Sequence, residues 1–226
     1  MSNRVVLIFG AGARVGRSVA QAFGAKGYKV ALAARSLKAQ DSTKDQLHIP
    51  TDCSDPESIV QAFSQVRSAY GSPNVVVYNA AAGTRNSSTD VFEVPLDAFR
   101  KSASVNILGP YAAAQQAVKG WADLPASASP TFIYTGNCTN VAPIDWLLDS
   151  TVGKTAAATI IQIAAGAYKE KGYKFYYADE RREDGSPVYN DLSGEGHAKL
   201  YTDLAEGPQQ LPWPQTFVTG LGYKKF

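Results

Sequence analysis

Cysteine is scarce: the 226 residues contain two, Cys53 and Cys138, which lie in different units and form no metal-binding or redox motif. No metal site is therefore expected. Charge of one sign is also in short supply. Lys and Arg total 22 against 20 Asp and Glu, a formal charge of +2, and no basic run exceeds two residues. That balance excludes nucleic acid as a partner. Long apolar runs are missing, so no segment approaches a membrane-spanning length and no membrane partner is expected. The N-terminal apolar run is too short for a signal peptide and lacks a small-residue cleavage site. The expectation is a cytoplasmic protein, in which the sequons at Asn86 and Asn137 are chance matches. Internal repeats, linkers and low-complexity stretches are absent as well. Residues 1–226 thus read as a single domain, with ordinary apolar content and room for a full core.

What is present is an alternation. Val5-Val6-Leu7-Ile8-Phe9 is a short unbroken apolar run, as in a strand buried on both faces of a parallel sheet. Gly10-Ala11-Gly12-Ala13-Arg14-Val15-Gly16 follows at once, and Ser18 to Phe23 reads as the start of a helix. In a strand–turn–helix that holds a dinucleotide, Gly10 makes the tight turn, Gly12 admits a pyrophosphate, and Gly16 allows close helix packing. The helix N-terminus offers unpaired N–H groups and the positive end of its dipole.

Further strands are expected at 29–34, 46–50, 74–78, 131–135, 173–177 and 216–219. Asp55-Pro56-Glu57 opens a helix whose apolar face is Ile59, Val60, Phe63 and Val66. Long helices are expected from about Leu96 to Trp121 and from Thr151 to Lys171, with a short one near Gly194–Leu204. This pattern predicts an α/β fold: a doubly wound, Rossmann-type parallel sheet in three layers, helices on both faces. Ligands in such sheets sit beyond the carboxyl ends of the strands, so the residues just after each strand are the ones of interest.

The order of these motifs resembles the short-chain dehydrogenase/reductase family over nearly the whole chain. Gly10 and Gly16 match its Gly-x-x-x-Gly-x-Gly turn, with Arg14 where the middle glycine is usual. Asp52 is similar to the acid that contacts the adenine ring, Asn79-Ala80-Ala81 to the end of the Asn-Asn-Ala-Gly turn, and Asn106 to the helix asparagine. The second strand ends in Ala34-Arg35. An aspartate there would bind the ribose hydroxyl of NAD, whereas an arginine suits the 2′-phosphate of NADP. Arg14 is expected to approach the same phosphate. The resemblance thus implies NADP(H) as cofactor, with Gly10, Gly12, Arg14, Gly16, Arg35, Asp52, Asn79 and Lys154 on its side of the site.

The reacting half departs from the family. Asn137 stands where the family serine belongs, and Ser150 stands where Tyr-x-x-x-Lys would place its tyrosine, with Lys154 in register. The site residues on this side are therefore Asn106, Asn137, Ser150 and Lys154. A serine hydroxyl titrates far too high to replace the phenol as proton donor, and its short side chain is expected to leave extra room. Asn137 can still hydrogen-bond an oxyanion. The nearest other proton donors are Asp149, Tyr134 and Asp179, of which Tyr134 falls on the core side of its strand. The expected function is an NADP(H)-dependent oxidoreductase acting on a small carbonyl-type substrate with an atypical proton donor. The alternatives are a non-redox isomerase, cyclase or lyase on the same fold, or a cofactor-binding protein without turnover.

The remaining polar residues read plainly. His48 is a hydrogen-bonded structural histidine in or beside the third strand, His197 a surface residue, and residues 179–185 a solvated loop. Cys138 lies near the pocket without any feature that would activate its thiol. The segment 187–213, with Tyr189, Leu192, Tyr201 and Trp213, is expected to cover a small, partly apolar or aromatic substrate. Ala112 to Ala114 and Ala156 to Ala158 are expected to pack across a homodimer or homotetramer.

Overall fold

A computed structural model describes residues 4–226. Eight strands form one sheet in the order β3-β2-β1-β4-β5-β6-β7-β8. They are β1 Val5–Phe9, β2 Lys29–Ala34, β3 Gln46–Pro50, β4 Val75–Tyr78, β5 Thr131–Thr135, β6 Lys174–Glu180, β7 Pro214–Val218 and β8 Gly222–Tyr223. All neighbours are parallel except β7 and β8. The strand order reverses between β1 and β4, which is where a doubly wound sheet opens a crevice at its carboxyl edge.

The helices are α1 Val15–Ala25, α2 Pro56–Tyr70, α3 Leu96–Ala103, α4 Gly109–Trp121, α5 Leu148–Ala167 and α6 Gly194–Glu206. Alternation along the strands divides the core in two. Val5, Leu7 and Phe9 pack under α2, α4 and α5, while Val6 and Ile8 pack under α1 and α6. The expected start of α2 is there: the Asp55 side chain accepts from the Glu57 N–H, with Pro56 in the first turn.

Four expectations change. The stretch from Leu96 to Trp121 is helical throughout, but α3 and α4 are joined by a π-helical turn at Ser104–Leu108. Such a turn inserts a residue into the helix and re-aims its side chains, which apolar periodicity does not reveal. Residues 179–185 are only partly a loop. Asp179 and Glu180 extend β6, and Arg181 is buried beside them. His197 is completely buried rather than on the surface. Tyr201, assigned to the substrate cover, is a core residue whose hydroxyl lies 2.8 Å from Thr135 Oγ1. The two-residue β8 has no signature in the sequence, since its two residues are exposed and carry no periodicity.

Lys174, at the start of β6, is buried and donates from Nζ to the carbonyls of Leu204, Ala205 and Gly207 at 2.8, 3.0 and 2.6 Å. These are end carbonyls of α6, which lack helical partners. One lysine thereby ties the covering segment to the sheet. His48 sits in β3 as expected, with Nε2 at 2.6 Å from Gln46 Nε2.

Candidate active site

A cleft of about 680 Å³ runs across the strand ends of β1, β2 and β4. Gly10 has φ +79°, and a Cβ there would meet Ala80 Cα at 2.6 Å and Asn79 C at 2.7 Å. Only glycine lets the two turns touch in this way. At Gly16 a Cβ would meet Ala11 Cα at 2.8 Å, so α1 packs directly on its own entry turn. Gly12 differs: a Cβ there would meet only the Gly10 carbonyl, at 4.0 Å, and the space beside it belongs to the cleft. No side chain caps the start of α1 and no acid lies in its first turn. The Arg17 N–H of its first turn donates to the Gly12 carbonyl at 2.9 Å, and the Val15 and Gly16 N–H groups before it remain available to an anion.

Arg35, Ser36, Asp52 and Lys101 line the other end of this cleft. Arg35 is exposed and forms no ion pair among the described residues. Asp52 Oδ1 accepts from the Ser54 N–H at 2.9 Å and the Ser54 hydroxyl at 2.8 Å. Those bonds, with lesser help from Arg35 and Lys101, hold its carboxyl below the usual range. No sequence motif points to Lys101, which reaches the cleft from α3, far along the chain. Arg14 does not line the cleft as expected; its Nη1 donates to the Asn190 carbonyl at 2.8 Å and so reaches the covering segment.

Two asparagines hold the turns in place. Asn79 Nδ2 donates to the Gly10 carbonyl at 2.8 Å, tying the turn after β4 to that after β1. Asn106, fully buried in the π-helical turn, donates to the Ala82 carbonyl at 2.7 Å and to Ser102 Oγ at 3.0 Å. Its side chain also fills the space above Gly153, where a Cβ would meet Asn106 Nδ2 at 3.1 Å. Asn106 thereby sets α5, and with it the neighbouring Lys154, against the sheet.

The second space, about 190 Å³, is lined by Asn137, Cys138, Lys154, Asp179, Tyr189 and Leu192 among others. Lys154 is buried, donates from Nζ to the Thr135 carbonyl at 2.9 Å and lies 5.0 Å from the Tyr134 ring centre. Burial pushes its ammonium down to about 8, against the opposing pull of Asp179. Asn137 Oδ1 is engaged by the Thr139 N–H and hydroxyl at 3.1 and 2.6 Å, so its amide nitrogen is the group left to address an oxyanion. Burial also pushes the Cys138 thiol up, which keeps it inert.

Ser150 lines neither space. Its side chain rests on the turn after β4: a Cβ on Gly83 would meet Ser150 Cβ at 3.0 Å and Oγ at 3.5 Å. The room expected above a short side chain is therefore taken up by the chain at Gly83. The next residue, Thr84, donates its N–H to both oxygens of Asp149 at 3.1 and 3.0 Å. From this placement, Ser150→Ala should change turnover by less than a few fold. A loss on the order of 10²–10⁴ in kcat, the range for a general acid, would show that the hydroxyl carries the proton.

The remaining buried polar groups belong to the frame. His197 Nδ1 lies 2.7 Å from the Ser193 carbonyl and 3.5 Å from Glu180 Oε2, and burial lowers its affinity for a second proton. Glu180 also accepts from the Ser193 N–H at 2.8 Å and the Thr219 hydroxyl at 2.6 Å. This cluster docks the start of α6 on the end of β6. Tyr134 stacks between Tyr78 and Tyr177 at 5.9 and 5.6 Å, within the core as its strand position implied.

Fold and site together define a doubly wound α/β protein whose glycine turn opens onto a cleft at the sheet's topological switch. Residues 4–128 match the family model for short chain dehydrogenases. The chain belongs to the short-chain dehydrogenase/reductase family. It is 44% identical over 237 residues to the short chain dehydrogenase/reductase dmxR12 of Cryptosporiopsis sp. (strain 8999), covering 100% of this chain and 96% of that protein. Among solved structures it resembles a metagenomic short-chain oxidoreductase in complex with NADP, with a TM-score of 0.80 at 18% identity over 98% of this chain and 99% of that one. It also resembles the 3-ketoacyl-(acyl-carrier-protein) reductase of Brucella melitensis complexed with NADH, with a TM-score of 0.77 at 18% identity over 89% and 90%. At such identities the structural likeness shows the fold.

Proposed function

We propose that this protein is an NADP(H)-dependent oxidoreductase acting on a small carbonyl-type or related organic substrate, with a proton donor other than the family tyrosine. The observation that carries the reading is the set of free donors at the end of β2. Arg35 and Ser36 line the cleft there, Lys101 joins them from α3, and no acid occupies the strand end. A guanidinium in that place suits a 2′-phosphate. The open face of Gly12 and the uncapped start of α1 suit a pyrophosphate, and Asp52 offers its second oxygen toward an adenine. Lys154 would hold the nicotinamide ribose. When bound, the reduced dinucleotide supplies the hydride.

Titrating the protein with NADPH and NADH tests this directly. The wild type should prefer NADPH, and Arg35→Ala should lose about 1.5–3 kcal/mol of NADPH affinity while binding NADH unchanged, since bonds to charged groups fall in that range. Equal affinities in the wild type would sink the assignment. One observation favours non-redox chemistry instead: Ser150, in the tyrosine's place, faces neither space. Product that never acquires the label of deuterated NADPH would select that reading.

We further infer a homodimer or homotetramer formed over α4 and α5. Tyr111 and Ile163 are 55% and 67% exposed beside a groove of about 560 Å³ that also includes Val118, Ile160 and Tyr168. Of the alanines expected at this interface, Ala113, Ala157 and Ala158 are buried in the chain's own core. The larger apolar side chains would make the contact.

A further inference from the structure

Of the three groups near enough in sequence to supply a proton, the structure leaves one free to do so. Asp149 has both oxygens committed to the Thr84 N–H, and one of them also to the Ser150 N–H at 2.6 Å. It fixes the turn after β4 to the start of α5. The Tyr134 hydroxyl is also buried without a partner among the described residues, but it lies in the core and lines neither space, and burial pushes its phenol well above the usual range. Asp179 differs from Asp149 in having an unpartnered oxygen and from Tyr134 in its position. It sits near the carboxyl end of β6, where ligands of this fold bind, and it lines the same space as Lys154 and Asn137.

Its two oxygens have unequal surroundings. Oδ2 accepts from Arg181 Nε at 2.6 Å, and Arg181 is itself fixed by donating to the Gly185 carbonyl at 2.8 Å. Oδ1 has no hydrogen-bond partner among the described residues, although the side chain is only 2% exposed. A buried oxygen without a partner costs stability unless something else meets it, so each such atom calls for an explanation. Resting on the oxidoreductase reading above, we propose that Asp179 is the group that exchanges the proton with substrate, through Oδ1, while Arg181 holds the carboxyl in place through Oδ2.

The step balances. In reduction, a bound reduced nicotinamide dinucleotide would supply the hydride, the electron pair of its breaking C–H bond becoming that of the new C–H bond on the carbonyl carbon. The π pair of the carbonyl moves onto its oxygen, which takes the proton of Asp179 Oδ1 to become a hydroxyl. The carboxylate left behind is reloaded from solvent, and oxidation runs the same path in reverse. Four neighbours besides Arg181 act on the charge of this carboxyl: Lys154, which favours the ionised form, and Glu180, Cys138 and Tyr177, whose anionic forms oppose it. Burial outweighs the two cations and raises Asp179 to about 6, close to where a general acid works best.

Three measurements test the assignment. Carbon-13 NMR of aspartate-labelled protein should show one carboxyl titrating near pH 6 that is missing in Asp179→Asn, which requires neither cofactor nor turnover. With deuterated NADPH and isatin, menadione and acetophenone as carbonyl probes, Asp179→Asn should lower kcat on the order of 10²–10⁴-fold. Its NADPH affinity, read by fluorescence titration, should stay within about threefold, which also shows that the site is folded. Asp179→Glu should recover part of kcat, because a carboxyl is restored. If the wild type labels product and Asp179→Asn does so at an undiminished rate with the same pH profile, the assignment is wrong and the oxidoreductase reading stands. If the wild type labels none of the three probes, that reading fails and the assignment falls with it. If the resonance that is lost in Asp179→Asn titrates near pH 4 in the free wild type, the assignment is also wrong.

Discussion

Gly10→Ala should cost about 3–5 kcal/mol of folding stability, combining the penalty for a left-handed backbone with overpacking against a neighbouring turn. The methyl would sit 2.6 Å from Ala80 Cα, and backbone cannot rotate away as a side chain can. Against a total of about 5–15 kcal/mol, that loss leaves little soluble protein. The contrast is Gly12→Ala, whose methyl meets only one carbonyl at 4.0 Å. It should fold nearly as well as the wild type yet bind NADPH poorly, because it fills the place of the pyrophosphate. Urea unfolding at constant slope, alongside cofactor titration, separates the two effects. Equal midpoints for Gly10→Ala and wild type would overturn the account of this turn.

Lys154→Met should act in the opposite direction, giving a protein about 1–3 kcal/mol more stable at neutral pH and deficient in cofactor binding. Burial holds the Lys154 ammonium at about 8 in the fold, against about 10.5 when unfolded. Between those values the unfolded chain binds more protons than the native one. The contribution of Lys154 to stability is therefore greatest above pH 10.5 and is lost as pH falls through about 8. Lys174 behaves in the same direction, and buried tyrosines oppose it above pH 10, but these groups are common to both proteins. The difference between Lys154→Met and wild type isolates the one lysine. It should be largest near pH 7 and shrink steadily up to about pH 10. A gap that does not vary with pH would mean the lysine is not held as described. The loss of the bond to the Thr135 carbonyl sets the lower end of the range.

Much of the fold is legible in the sequence because its strands are buried on both faces. Val5–Phe9 and Val75–Tyr78 carry no polar residue, and the glycines and Asp55-Pro56 mark where strands end and helices begin. The turn that opens the cleft is legible for a related reason: Gly10 and Gly16 act through backbone geometry that follows them along the chain. Position in the chain does not reveal where a side chain turns. Ser150 falls at the spacing expected for the family tyrosine, yet it rests on Gly83. Arg14 keeps its place in the turn, yet it reaches Asn190. Asp179, Glu180 and His197 read as solvated because charge usually means exposure. They are buried because Arg181, Ser193 and Thr219 meet them from other elements, a pairing that only the tertiary structure assembles.

The position of β1 in the middle of the sheet has a consequence for how the chain is made. Of the eight strands β1 is made before the others, and β2 and β3 can pair outward from one of its edges in the order they are synthesised. Its other edge stays bare until β4 emerges, since Val6 there pairs with Val75. Until then an apolar strand with unpaired backbone groups faces solvent, a state open to chaperones and to mispairing. After β4, each of β5, β6 and β7 adds to the outer edge in turn, and the antiparallel β8 ends the growth. The crossing that leaves a crevice between β1 and β4 is thus also the latest-closing gap in the first half of the nascent sheet.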